Sequence, residues 1–180
     1  MGPFFSGKRS MAAQFSPFQL FGMTPQFDID ENHLEKAYQA AMLKVHPDRF
    51  ADRSAVERRV AEQWSARINE AHNTLKNPVL RAGWLCETAG FPIRAETNTA
   101  MPMDFLLKQM QWREALEEAE GNPESIASIR QRTESEKAEI LANIATLIDQ
   151  DKNWTRAVDL TRQLMFVNRF LDEVERVQKK

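Results

Sequence analysis

The sequence is poor in the residues that build chemical sites. Among its 180 residues are one cysteine and three histidines. The lone Cys86 can form neither an internal disulfide nor a Cys-based zinc site, and it suits a reducing cytoplasm, where the chain is expected to reside. His33, His46 and His72 do not pair at a ligand-like spacing, so no metal and no cofactor is expected. No apolar run approaches the roughly 20 residues of a membrane span, which points to a soluble protein with no membrane partner. A net charge of −2 argues against nucleic acid, whose binders carry a strongly basic surface. Glycine is sparse, and period-2 alternation rich in Val, Thr and Tyr is absent, which excludes an extended sheet. What remains is 42% hydrophobic and 28% charged residues in long stretches of helical period. The expected fold class is all-α.

Local signals divide those stretches. Pro17 opens a short apolar turn, PFQLFGM. Asp30 is a good N-cap for the helix that follows. Leu34, Ala37, Tyr38, Ala41 and Val45 recur three and four apart and make one buried stripe. The helix should stop near Val45, because Pro47 disfavours the α conformation at His46. Ser54 can cap the next helix, on which Val56, Val60, Trp64, Ile68, Ala71 and Leu75 form a second stripe. Two facing stripes joined by a tight polar loop predict an antiparallel hairpin. A shorter helix over Val79–Ala89 lies between Pro78 and Gly90, and the polar stretch that follows reads as a linker over 91–102. Three further helices, starting at Met103, at Asn122-Pro123 and at Asn153 or Trp154, suggest a small bundle. The first fifteen residues read as a disordered tail or a tag, with Met11 a second candidate start.

The hairpin loop is the most specific feature. By composition, His-Pro-Asp arises by chance in roughly one chain in a hundred. At the tip of a helical hairpin, followed by INEAHNTLKNPVLRA, it resembles the J-domain. J-domains dock through this loop and the basic face of the preceding helix on an ATP-bound Hsp-type chaperone and promote its ATP hydrolysis. The resemblance implies that His46, Pro47 and Asp48 are essential, with Lys36, Lys44 and Arg49 in support. An exposed carboxylate such as Asp48 is a natural acceptor for an arginine fork on a partner. Between Lys36 and Arg67 seven basic and four acidic residues give a local charge of +3. The usual basic cluster after the helix tyrosine is missing, since Gln39 and Ala40 follow Tyr38, which points to a specialised chaperone.

From PFQLFG to the C-terminus the chain resembles the HscB family, J-proteins of iron–sulfur cluster assembly, in HPDRF, INEAHNTLKNPVLRA and DFLLKQMQWREALEEAE. It lacks the Gly/Phe-rich segment and zinc repeats of general J-proteins and the paired CxxC motifs of human-type relatives, so the bacterial type is closer. The implied layout is a J-domain over 16–90, the linker, and a three-helix scaffold-binding domain over 103–180. The implied partners are an HscA-like chaperone and the IscU-like scaffold protein.

The helix from Met103 supports this independently. Phe105, Trp112, Leu116 and Ala119 share one side and should pack into the bundle. Met103, Leu106, Leu107 and Met110 lie nearly opposite, edged by Glu114, Glu117 and Glu118. A second apolar stripe must be covered, either by the J-domain or by a partner. In the family the matching surface holds the scaffold, and the positions carried over are Leu106, Leu107, Met110, Gln111, Glu114, Glu118 and Phe166. Gln111 departs from a position that is commonly acidic. Phe166 sits away from its helix's main stripe, roughly opposite Leu164 and Leu171.

The chain is thus read as no enzyme but as the activator of a partner's ATPase. An alternative has it recruit another client to a general DnaK-type chaperone. A cluster carrier would need more than Cys86, which is expected to pack near Trp84 and Leu85. An acid–base reading of His46 and Asp48 lacks a nucleophile and a pocket.

Overall fold

The computed structural model describes residues 16–94 and 101–180. The tail or tag expected over 1–15 and the centre of the expected linker, 95–100, lie outside the described residues. Among the described residues the fold is all-helical. In chain order it has α1 (Pro17–Leu20), α2 (Glu31–Val45), a 3-10 turn (Pro47–Phe50), α3 (Ala55–Lys76), α4 (Pro78–Thr88), α5 (Met103–Glu118), α6 (Pro123–Ala145), a π turn (Thr146–Gln150) and α7 (Trp154–Gln178).

These elements form two compact units. One contains the described residues up to Pro25 together with Ile29–Leu80. The other contains Gln26–Asp28 and the described residues from Arg81 onward. The division falls at Arg81, ahead of the linker expected at 91–102. Side chains explain why: the Arg81 guanidinium lies 4.6 Å over the Phe27 ring, and Arg162 Nε donates to the Ile93 carbonyl at 2.7 Å.

In the first unit α2 and α3 form the hairpin. The Asp30 carboxylate accepts from the N–H groups of Asn32 and His33, and Ser54 Oγ accepts from that of Glu57. Each satisfies donors that a helix start leaves orphaned, worth about 1 kcal/mol apiece. α1 packs on α3, and Phe18, Leu34 and Leu75, at 1% exposure or less, make the centre of the core. Burying side chains of this kind stabilises by about 1.5–3 kcal/mol each.

The expected stripe on α3 needs correction. Val56 and Val60 are 69% and 46% exposed, and the buried face is instead Ala61, Ser65, Ile68, Ala71, His72 and Leu75. Residues four apart drift about 40° around a helix, so the row Ile68, Trp64, Val60, Val56 has turned about 80° from Ile68 by Val60 and left the core-facing side. Two polar residues complete the face. Ser65 Oγ donates to the Val45 carbonyl at 3.2 Å, satisfying the end of α2. His72 Nε2 donates to the Glu35 carboxylate at 2.6 Å, its ring stacked on Tyr38.

In the second unit α5, α6 and α7 form the bundle. Leu116, Ala119, Ile126, Ile129, Phe170 and Val174 share one core cluster, with Trp112 packed against it. The α5–α6 corner turns at Gly121, whose φ of +81° is a conformation that side chains with a Cβ avoid. Asn122 then caps α6 by accepting from Ser125 N–H. Buried Thr133 and Thr161 return their hydroxyls to the carbonyls of Ile129 and Ala157, one turn back. In the π turn after α6, Asp151 N–H reaches the Thr146 carbonyl five residues earlier. The turn presents Asp149, whose two carboxylate oxygens accept from Phe27 N–H at 2.7 Å and Asp28 N–H at 3.0 Å.

Candidate functional site

The hairpin loop is built almost entirely by local bonds. α2 ends at Val45, and His46 takes an extended backbone with ψ of 131° before Pro47. Its Nδ1 accepts the N–H of Asp48 at 3.2 Å, which caps the 3-10 turn. The same nitrogen lies 3.6 Å from Asp48 Oδ2. That distance is too long for a hydrogen bond, so the cap is the contact that holds the ring. Arg49 Nη1 donates to the Leu43 carbonyl at 2.6 Å and closes the end of α2. The Asp48 side chain is left 90% exposed. Lys36 and Lys44 are also exposed and form no ion pair among the described residues. The site therefore offers an exposed carboxylate on a proline-fixed turn, with two exposed lysines on the helix before it.

The second candidate surface lies on α5. Phe105 and Leu116 are buried, and Phe105 meets Trp112 edge to face, with ring centroids 6.1 Å apart. On the far side Leu106, Leu107 and Met110 are 39%, 52% and 67% exposed. Gln111, Glu114 and Glu118 are exposed beside them. The apolar row is flanked by acids and left open by the described residues.

Phe166, on α7, is partly buried under the Arg169 guanidinium, 5.3 Å from the ring centroid. It faces Gln109, Trp112 and Arg113 across a cleft of about 70 Å³. Sequence reasoning missed Gln109. The one available signal was a glutamine interrupting the core-facing row Phe105–Trp112–Leu116. Cys86 is fully buried, and burial pushes its thiol up to about 11, which leaves it protonated and unreactive at neutral pH.

A family model described as the HSCB C-terminal oligomerisation domain matches residues 101–175. The co-chaperone protein HscB homolog of Bordetella pertussis is 42% identical over 161 residues, covering 89% of this chain and 95% of that one. The chain belongs to the HscB co-chaperone family. The solved structure of chaperone HscB from Vibrio cholerae matches with a TM-score of 0.81 at 32% identity, over 92% of this chain and 98% of that one. Human co-chaperone protein HscB matches with a TM-score of 0.85 over 97% and 93% of the two chains, and at 24% identity it speaks for the fold alone. In family terms the α2–α3 hairpin belongs to the N-terminal J-domain and α5–α7 to the C-terminal helical bundle.

Proposed function

We propose that this HscB-family protein bridges an IscU-like scaffold and an HscA-like chaperone in the cytoplasm, and that it acts in iron–sulfur cluster assembly. The bundle, 103–180, holds the scaffold on Leu106, Leu107 and Met110, with Gln111, Glu114 and Glu118 at the edge and Phe166 across from them. The J-domain, 16–90, meets the chaperone through His46, Pro47 and Asp48, with Lys36, Lys44 and Arg49 supplying positive charge. One observation carries this reading: the chain presents two uncovered recognition surfaces of different chemistry. One is a proline-fixed carboxylate with exposed Lys36 and Lys44 on the helix before it, suited to an arginine-bearing partner. The other is an apolar row edged with acids, suited to a protein client.

Linking the two surfaces in one chain converts capture of the scaffold by the chaperone into an effectively intramolecular event. Contact at Asp48 then raises the chaperone's ATP hydrolysis, and the chaperone closes on its client. No covalent step occurs on this protein.

The test is steady-state ATP hydrolysis by a purified HscA-type chaperone, with and without its IscU-type scaffold. Wild-type protein is expected to stimulate, more strongly with scaffold present, and Asp48→Asn to leave the basal rate unchanged. Stimulation of a general DnaK-type chaperone but not of HscA would overturn the iron–sulfur assignment and leave the J-protein assignment standing.

A further inference from the structure

Gln109 occupies a place where a core residue is expected. It sits on the same side of α5 as Phe105, Trp112 and Leu116, all of which turn inward. Its Nε2 is buried and has no acceptor among the described residues. An unmatched buried donor weakens the free protein, and a leucine there would not. The amide borders the cleft between α5 and α7, walled by Trp112, Phe166 and Phe170, with Arg113, Arg169 and Glu173 also lining it. The Arg113–Glu173 pair is long, at 4.0 Å, so it neutralises little in water. Two guanidinium groups against one carboxylate leave the cleft with an excess positive charge. Its volume of about 70 Å³ is roughly that of two waters, enough for a carboxylate and its adjoining methylene. Around α5, Gln109 is only about 60° from exposed Leu106, and Arg113 lies between them. The cleft is therefore the inner edge of the apolar row.

We propose that this cleft is an acidic-side-chain subsite of the client-binding face, with Gln109 as its specificity-determining donor. An Asp or Glu of the bound client would enter beside Phe166 and accept from Gln109 Nε2, with Arg113 and Arg169 balancing its charge, while the client's apolar neighbours cover Leu106 and Met110. The proposal rests on the α5 face being the scaffold-binding surface. It adds a polar address to a patch that is otherwise apolar, and it accounts for a buried amide that the fold does not use.

The experiment is titration calorimetry of the full chain with an IscU-type scaffold, together with a Tm for each variant. Gln109→Leu keeps the volume and removes the donor. It should raise Tm while weakening binding about tenfold or more, as loss of a hydrogen bond to a charged group does. A packing role would instead lower both together. Gln109→Glu sets like charges against each other and should weaken binding further at low salt than at high salt. Wild-type affinity in Gln109→Leu, alongside a clear loss in Leu107→Ala, would overturn the subsite and keep the binding face. Equal losses in Gln109→Leu and Gln109→Glu at every salt concentration would overturn the assignment of a carboxylate. Absence of wild-type binding to the scaffold would overturn both the subsite and the face.

Discussion

Replacing Asp149 by alanine isolates a single long-range link. Its carboxylate accepts two backbone N–H groups, from Phe27 at 2.7 Å and Asp28 at 3.0 Å, across 122 and 121 residues of chain. Hydrogen bonds to a charged group are worth about 1.5–3 kcal/mol each. Asp28 N–H is exposed and can turn to water, so most of the loss falls on the partly buried Phe27 N–H. Phe27 is itself 3% exposed and sits beneath Arg81, which limits how far it can move to find solvent. The expected cost is about 2–3 kcal/mol. For a chain of this size each kcal/mol lowers Tm by about 2–4 °C, so Asp149→Ala should melt roughly 4–12 °C below wild type. Asp149→Asn keeps one acceptor oxygen and should lose about half as much. Thermal unfolding followed by circular dichroism at neutral pH measures both. A Tm for Asp149→Ala within a degree of wild type would mean instead that water replaces the carboxylate at no cost.

Asp48→Asn should abolish stimulation of the chaperone's ATPase without moving Tm, because its side chain is 90% exposed and makes no core contact; parallel ATPase and melting curves check this. Leu107→Ala should weaken scaffold binding by about 1–2 kcal/mol, roughly 5–30-fold, since its half-exposed side chain has apolar area left to bury, and calorimetry reads the change. Cys86 holds its proton more tightly folded than unfolded, its thiol raised from 9.0 to about 11. Its contribution is therefore complete below pH 9 and lost as pH rises toward 11, at up to about 1.4 kcal/mol per pH unit. Denaturant titrations should show the gap between wild type and Cys86→Ala narrowing across that window, and a constant gap would contradict it.

Much of the architecture was legible because its signals are local. Asp30, Ser54 and Asn122 cap donors two or three residues away, and Pro47 stops α2 through its immediate neighbour. The uncovered row on α5 was visible too, since a helix with apolar residues on opposite sides cannot bury both in one bundle. The misses share a different cause. Val56 and Val60 extend an apolar row into solvent, while Ser65 and His72 are buried because a carbonyl and a carboxylate await them. Apolarity cannot report that exchange. Arg162 is inside because Ile93 offers it a carbonyl, and Asp149 matters because of a backbone more than a hundred residues away. Gln109 needed α7 in place before its lack of an acceptor could be seen. The recognition roles proposed for the loop and the α5 face rest on chemistry that partners supply, and the fold alone does not contain it.

The tip of the hairpin owes its form to neighbours a few residues off, while the centre of the core lies at the other end, around Phe18, Leu34 and Leu75. Selection therefore sees the two ends through different phenotypes. A mutational scan scored on cellular abundance would register substitutions at Leu34 or Leu75 and pass nearly everything at Asp48. A scan scored on growth would register both. The positions where the two maps disagree would outline the proposed chaperone-binding loop independently of any binding assay.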